Sequence, residues 1–382
     1  MGFHEFSSPY DWSRIAAYKR TAKAAFGGMI DLSVGSPVDP VPDSVRKALA
    51  VAANDPNAYG YPATAGTADL RAAIAEWFSA ARNVDLQAIH ADVVPTVGSK
   101  EGVALMASLL HFGEDDVVVQ PKVSYPTYEI GTQLAGAQVL KVDDVADVAS
   151  WRNVPGVKAV WVNSPCNPTG EVYSAERMAG IVAAAREIGA VVLSDECYAL
   201  MQWRGATNSA DDDPLQSTPC ALRSDVCAGS AEGVLVLYSL SKQSNMAGYR
   251  TAFIAGDESL IASMSAYRKQ IGQIIPGPVQ AAMAAGLRDL ESVKVQHARY
   301  RERLGVLVSA LRAYGYCTDM PDGALYVWVR AKSGDCWTDM EQLAKIGIIA
   351  SPGEFYGAPE GLRFSATASD EAIASAAERL AR

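Results

Sequence analysis

Between residues 115 and 256 the chain alternates short apolar runs with amphipathic stretches. The runs are DVVVQP (116–121), KAVWVNSP (158–165), AVVLSDE (190–196), VLVLYSL (234–240) and RTAFIAG (250–256). Each is apolar at successive rather than alternate positions, so a strand made from it must be covered on both faces. Residues 175–188 have helix composition and lie between two of these runs. Upstream, Leu70, Ile74, Trp77 and Phe78 recur at helical spacing within 66–81, and Gly98-Ser99 opens a second helix over 98–111. Strands separated by helices predict an α/β fold, a mostly parallel sheet between helical layers. Residues 31–42 read as an extended segment broken by Gly and Pro, and 204–232, rich in Asp, Ser, Ala and Gly, as a long surface loop. From 258 to about 313 the pattern is helical. Strand-like runs follow at 324–329 and 362–365, with a last helix after Asp370, which together suggest a smaller α+β domain.

At 382 residues, 49% of them hydrophobic, the chain is long enough for two cores. The expected division is an amino-terminal arm with part of the small domain (1–40), a large domain (41–275) and a small carboxyl-terminal domain (276–382). The net charge of −10 and the lack of any Lys/Arg run argue against nucleic acid as a partner. No run approaches the ~18 apolar residues of a membrane helix, and residues 1–28 lack an apolar core fit for a signal peptide, so the cytoplasm is the expected location. The six cysteines form no C-x-x-C pair and only four histidines are present, so no metal site is expected. Cys166 and Cys197 read as small core hydrophobes.

Ligands of open α/β sheets bind beyond the carboxyl ends of the strands. Three of the apolar runs end in reactive or polar residues: Asn167 in NSPCNPTG, Asp195 and Tyr198 in SDECY, and Lys242 in YSLSKQSNMAGYR. Taken singly, Lys242 reads as solvated, Asp195 and Ser99 as helix caps, and NPTG as a turn. Taken in order, they supply what pyridoxal 5′-phosphate (PLP) requires. Its aldehyde needs a lysine for a Schiff base, and its pyridine nitrogen needs an acid to remain protonated. A carboxylate ~3 Å from that nitrogen, at an effective dielectric of ~20, interacts by roughly 5 kcal/mol. Asn167 and Tyr198 can donate to the ring's 3-oxygen. Ser99, Ser239, Ser241 and Arg250 are placed to hold the phosphate.

The segments DLSVGSP (31–37), YPATAGTADLR (61–71), GSKEG (98–102), SYPTY (124–128), NSPCNPTG (163–170), SDECY (194–198), SLSKQSNMAGYR (239–250) and LRFS (362–365) resemble those of the fold-type I aminotransferases of class I/II. The resemblance covers nearly the whole chain. It implies a large domain with a mostly parallel seven-stranded sheet and a smaller α+β domain. It assigns Lys242 as Schiff-base lysine and proton shuttle, Asp195 as partner of the pyridine nitrogen, and Asn167 and Tyr198 as ligands of the 3-oxygen. Ser99, Lys100 (through its backbone), Ser239 and Arg250 hold the phosphate. Tyr61 reaches the phosphate of the neighbouring subunit of a homodimer. Arg363 grips the substrate α-carboxylate, with Gly35 and Asn167 also against the substrate. A cis bond before Pro168 is implied. The ring-stacking aromatic of many relatives falls at Val123, and Tyr125 is the best substitute.

Within that family, residues 121–139, 194–203, 239–257, 276–285 and 351–357 are most similar to the N-succinyl-LL-diaminopimelate aminotransferases of bacterial lysine biosynthesis. The implied reaction is ping-pong transfer of the amino group from that succinylated amino acid to 2-oxoglutarate. Both substrates carry a second carboxylate, for which Lys100, Arg268 and Lys269 are the candidate cations, while Tyr128 and Tyr356 either line the channel or belong to the core. Other amino donors (aspartate, an aromatic amino acid, acetylornithine) and a PLP-dependent C–S lyase fit the same residues. A non-enzymatic PLP-binding regulator would need a DNA-binding module for which the chain has no basic stretch.

Overall fold

The computed structural model describes residues 11–203 and 218–382. The first half contains α1 (Ile15–Ala24), β1 (Ile30–Asp31), α2 (Asp43–Ala53), α3 (Ala68–Arg82), β2 (Ala91–Val97), α4 (Ser99–Leu109), β3 (Val117–Pro121), α5 (Thr127–Leu134), β4 (Gln138–Val142), β5 (Val157–Asn163), α6 (Ala175–Glu187) and β6 (Val191–Asp195). The second contains α7 (Ser224–Cys227), β7 (Val234–Ser239), α8 (Leu240–Gln243), β8 (Thr251–Asp257), α9 (Glu258–Gln270), α10 (Gly277–Arg288), α11 (Leu290–Ala313), β9 (Tyr326–Arg330), α12 (Cys336–Lys345), β10 (Ile348–Ile349), β11 (Ser351–Pro352), β12 (Gly361–Ser365) and α13 (Asp370–Leu380).

Two compact units result, one of residues 36–301 and 321–324, the other of 1–35, 302–320 and 325–382. The larger unit is built on a seven-stranded sheet in the order β2-β8-β7-β6-β5-β3-β4. All its pairings are parallel except those of β8, which runs antiparallel to both β2 and β7. The continuous apolar runs have their explanation here. Val234, Val236 and Tyr238 of β7 join one core cluster and Leu235 and Leu237 another, so successive residues are buried on opposite faces. Trp77 and Phe78 of α3 pack against Phe253, and Trp77 also against Tyr238, which seats the helix on the first of those faces. Thr67 caps α3 by accepting from the Leu70 N–H, and Ser174 caps α6 by accepting from that of Arg177.

Two strands of this sheet escape the apolar-run criterion, and both are its edges. The β2 segment ADVVPTV carries Pro95, which an edge strand tolerates, and β4 (QVLKV) is largely exposed. The predicted surface loop is corrected over 218–232: Thr218, Cys220, Leu222, Val226 and Cys227 are buried and α7 forms there. Its remaining part, 204–217, lies outside the described residues. The unit boundary also differs from the expected one at 275/276. Helix α10 packs on α2 and α3, so residues 276–301 belong with the larger unit.

In the smaller unit, β11, β12 and β9 form an antiparallel sheet and β1 pairs in parallel with β10. Register places Tyr326 opposite Ser365 and Trp328 opposite Arg363, so these four side chains share one face. Val327, Val329, Leu362 and Phe364 fill the other as core. Among the described residues, no helix is long and apolar enough to cross a membrane.

Candidate active site

The larger unit gathers its polar residues at one edge of the sheet. Asn163 ends β5 and lies in register with Asp195 at the end of β6, which pairs in turn with Leu237 of β7. The Asn163 side chain donates to the carbonyls of Asp195 (2.9 Å) and Pro165 (3.2 Å), and its oxygen accepts from the Asn167 N–H (2.8 Å). Asn167 is thereby fixed beside the end of β6. The peptide bond before Pro168 is cis, as the resemblance implied, and so is that before Pro165.

Asp195 is buried. Its Oδ2 accepts from the Tyr128 hydroxyl at 2.7 Å and its Oδ1 from the Cys197 N–H at 3.1 Å. Burial pushes its pKa up, and those two donors act in the opposite direction. Burial raises the Cys197 thiol well above its ordinary value, with the Asp195 charge adding to the effect, while Ser99 and Lys242 act to lower it; each of these three groups therefore lies within reach of that thiol. Tyr198 is buried in the same segment.

The reversed strand β8 brings together a candidate anion cup. Because β8 pairs antiparallel with its neighbours, its start meets their ends: Thr251 lies opposite Val97 and Ala252 opposite Ser239. Arg250, Gly98-Ser99 at the start of α4, and Ser239 at the start of α8 thus meet at one edge. Arg250 adopts a left-handed backbone conformation (φ 56°) and donates to the Ala247 carbonyl at 2.9 Å. Its guanidinium lies so close to the Gly98 backbone that a Cβ there would sit 2.5 Å from Cζ. Gly98 also has φ 79°, so glycine is required twice over. The Ser239 hydroxyl accepts from the Ser241 N–H (3.1 Å) and lies 2.8 Å from the Ser241 hydroxyl. An acid at a strand end, a lysine just past the next strand, and a glycine-lined helix start facing an arginine fit the ring nitrogen, aldehyde and phosphate of PLP.

The other predicted residues differ in exposure, and Gly35 and Arg363 belong to the smaller unit. Tyr61 is fully exposed, and Lys100 and Lys269 are exposed. Arg268 is wholly buried, pairing with Glu101 at 2.8 Å, which corrects its standing as a candidate for the distal substrate carboxylate. Tyr125 is half-buried, edge-on to Tyr128 at 5.6 Å. In the smaller unit, Arg363 is buried with its guanidinium over the rings of Tyr326 (4.0 Å) and Tyr356 (4.9 Å), and it donates to the Ser33 carbonyl at 2.7 Å. The Tyr326 hydroxyl lies against the Gly35 backbone.

Sequence reasoning missed two features. The bond from Tyr128 to Asp195 joins residues 67 positions apart, a separation that no local pattern spans. The buried pair of Arg82 with Glu196, at 2.8 Å, left no local signal at all.

A parallel-sheet unit with this edge defines a PLP-dependent enzyme of α/β architecture. The family profile "Aminotransferase class I and II" matches residues 27–380, and the chain belongs to that family. It is 40% identical to 4-dedimethylamino-4-oxo-anhydrotetracycline transaminase OxyQ of Streptomyces rimosus, over 97% of this chain and 98% of that one. It is 29% identical to the LL-diaminopimelate aminotransferase of Syntrophobacter fumaroxidans, over 97% and 95% of the two chains. A solved structure, the probable N-succinyldiaminopimelate aminotransferase of Thermus thermophilus, superposes with a TM-score of 0.83 at 27% identity, covering 97% of this chain and 99% of that one.

Proposed function

We propose that this PLP-dependent aminotransferase moves the amino group of N-succinyl-LL-2,6-diaminopimelate to 2-oxoglutarate in two half-reactions. The observation that carries the chemistry is the meeting of Asp195, Lys242 and the Gly98–Arg250 cup at one sheet edge. Bound there, PLP supplies the electron sink for the charge left when the substrate α-carbon loses its proton. Asp195 holds a proton at the ring nitrogen. Lys242 would hold the aldehyde of PLP and, once released, its Nζ would take and pass on the proton of the substrate α-carbon. Water then supplies the oxygen of the 2-oxo product. Asn167 and Tyr198 donate to the ring's 3-oxygen, with Tyr125 as the stacking residue. The phosphate is held by Ser99, the Lys100 backbone, Ser239 and Arg250. Arg363 receives the α-carboxylate of donor and acceptor alike through a planar pair of donors. The exposed Tyr61 completes the site of a second copy in a homodimer.

The diaminopimelate substrate is supported by the similarity of residues 121–139, 194–203, 239–257, 276–285 and 351–357 to that subfamily. The Thermus neighbour and the diaminopimelate relatives point the same way. A second reading, amination of a polycyclic ketone, is favoured by the 40% identity to the tetracycline-pathway transaminase. Single-turnover spectra separate the two. The PLP-loaded protein is mixed with N-succinyl-LL-diaminopimelate, glutamate, aspartate, phenylalanine or acetylornithine, and loss of the lysine-bound cofactor's absorbance is followed. The succinylated donor should react much faster than aspartate, phenylalanine or acetylornithine, and glutamate should react as well. If the succinylated compound is inert while glutamate reacts, and the aminated protein then passes its amino group to a tetracycline-type ketone, the second reading replaces the first.

A further inference from the structure

We propose that Tyr128 is a positioning residue for the cofactor, acting through Asp195 and Tyr125; the inference rests on the PLP reading of this site. Tyr128 is completely buried on α5, and its ring lies stacked on Trp161 of β5 at 4.5 Å and 17°. That stacking leaves the phenol little freedom, and the hydroxyl points at Asp195 Oδ2 at 2.7 Å. The bond is charge-assisted when Asp195 is ionised, which makes it stronger than a bond between neutral groups. Burial and the neighbouring Asp195 charge push the phenol pKa well up, so the hydroxyl remains a donor throughout the working pH range. With the Cys197 N–H on Oδ1, each carboxylate oxygen receives one donor, which fixes the plane in which the second lone pairs point.

The same ring supports a second candidate. Three residues earlier, just ahead of α5, Tyr125 meets the Tyr128 ring edge-on at 5.6 Å and 82°. One buried phenol therefore touches both the acid assigned to the ring nitrogen and the aromatic assigned to the ring face. The titratable groups around this pair are Cys166, Cys197 and Glu196, with Lys242 within electrostatic reach of Cys197. The Tyr128 hydroxyl makes its bond to Asp195 and not to any of these neighbours.

The test separates hydroxyl from ring. Tyr128→Phe keeps the stack on Trp161 and removes only the donor, whereas Tyr128→Leu removes both. PLP is titrated into each apo protein by fluorescence, and apo melting temperatures are recorded beside it. A hydrogen bond to a charged group corresponds to about a tenfold to hundredfold change in equilibrium constant. Tyr128→Phe should therefore raise the Kd for PLP at least about tenfold, with an apo melting temperature that falls less than that of Tyr128→Leu. The visible pH titration of the bound cofactor, which follows the proton on the lysine-linked nitrogen, should shift to higher pH, because a less ionised Asp195 leaves less positive charge on the ring to repel that proton. In an Asp195→Asn background the same substitution should have much less effect, because the charge it serves is gone. An unchanged Kd for Tyr128→Phe, or an equal loss in both backgrounds, overturns the proposal. Failure of the wild-type protein to bind PLP at all would instead reject the cofactor reading beneath it.

Discussion

Gly35→Ala tests how tightly the proposed carboxylate grip is built. An added Cβ would stand 2.9 Å from Tyr326 Cζ and 3.0 Å from Cε1, and closer still to the hydroxyl. Tyr326 has little room to retreat, being buried, with Arg363 over its ring at 4.0 Å. Overpacking of this kind costs about 1–3 kcal/mol. Tilting the ring also weakens a cation–π contact of about 0.5–2 kcal/mol. Urea unfolding should therefore show Gly35→Ala destabilised by about 1–3 kcal/mol. Steady-state assays should show KM raised for both amino donor and 2-oxo acid, with kcat changed less. Adding Tyr326→Phe removes the atom that the methyl group meets first and should restore at least half of the lost stability. Wild-type stability in Gly35→Ala, or no recovery in the double variant, would falsify this account of why residue 35 is glycine.

Other expectations follow from the same geometry. Gly98→Ala sets a methyl group against the Arg250 guanidinium at a positive-φ position, so it should displace the arginine and weaken PLP at least about tenfold, the scale of one lost hydrogen bond to a charged group. Pyridoxal, which lacks the phosphate, should be much less affected in parallel titrations. Arg82→Ala would strip Glu196 of its ion pair and leave the carbonyls of Thr218 and Pro219 without their donor. The expected loss is about 3–5 kcal/mol in chemical denaturation, the range for breaking a buried pair. Asp339 is buried, which alone would raise its pKa, but bonds from Ser333, the Lys332 N–H and Tyr316 hold it below its ordinary value. Its contribution is therefore complete above the unfolded carboxyl pKa near 4 and disappears as pH falls through the lower folded value. Asp339→Asn should cost stability at pH 6 and narrow the gap to wild type at pH 3, as read from urea midpoints.

How much could be read in advance depended on whether the controlling forces were local. Strands β3, β5, β6, β7 and β8 were legible because burial on both faces demands apolar residues in succession. The edges β2 and β4 were not, because a strand paired on one side only admits Pro95, and the more exposed β4 admits Lys141. Residues 218–232 looked like a surface loop by composition. What buries them is Arg82 and Glu196, which are distant in sequence and take up the loop's polar groups. Lys242, Asp195 and Asn167 stood out as candidates because chemistry at a strand end leaves short, ordered motifs. Tyr128 could not be assigned, because a phenol in an apolar environment reads as core until its partner is known. Arg268 shows the opposite error: a cation near a helix end resembles a surface group, yet here Glu101 holds it in the interior.

The reversal of β8 also places a constraint on chain length. The connection from Ser239 to Thr251 starts and finishes on neighbouring strands whose register is fixed by the sheet. Within it, Gln243 is tied to Tyr238 and Gly286, and Asn245 to Pro40 and Gln296. Lys242 and Arg250 sit on this one tethered segment, so their spacing is set by residue count as much as by side-chain identity. A single codon gained or lost there would carry the lysine out of step with the arginine. Over evolutionary time this stretch should accept substitutions while refusing insertions and deletions.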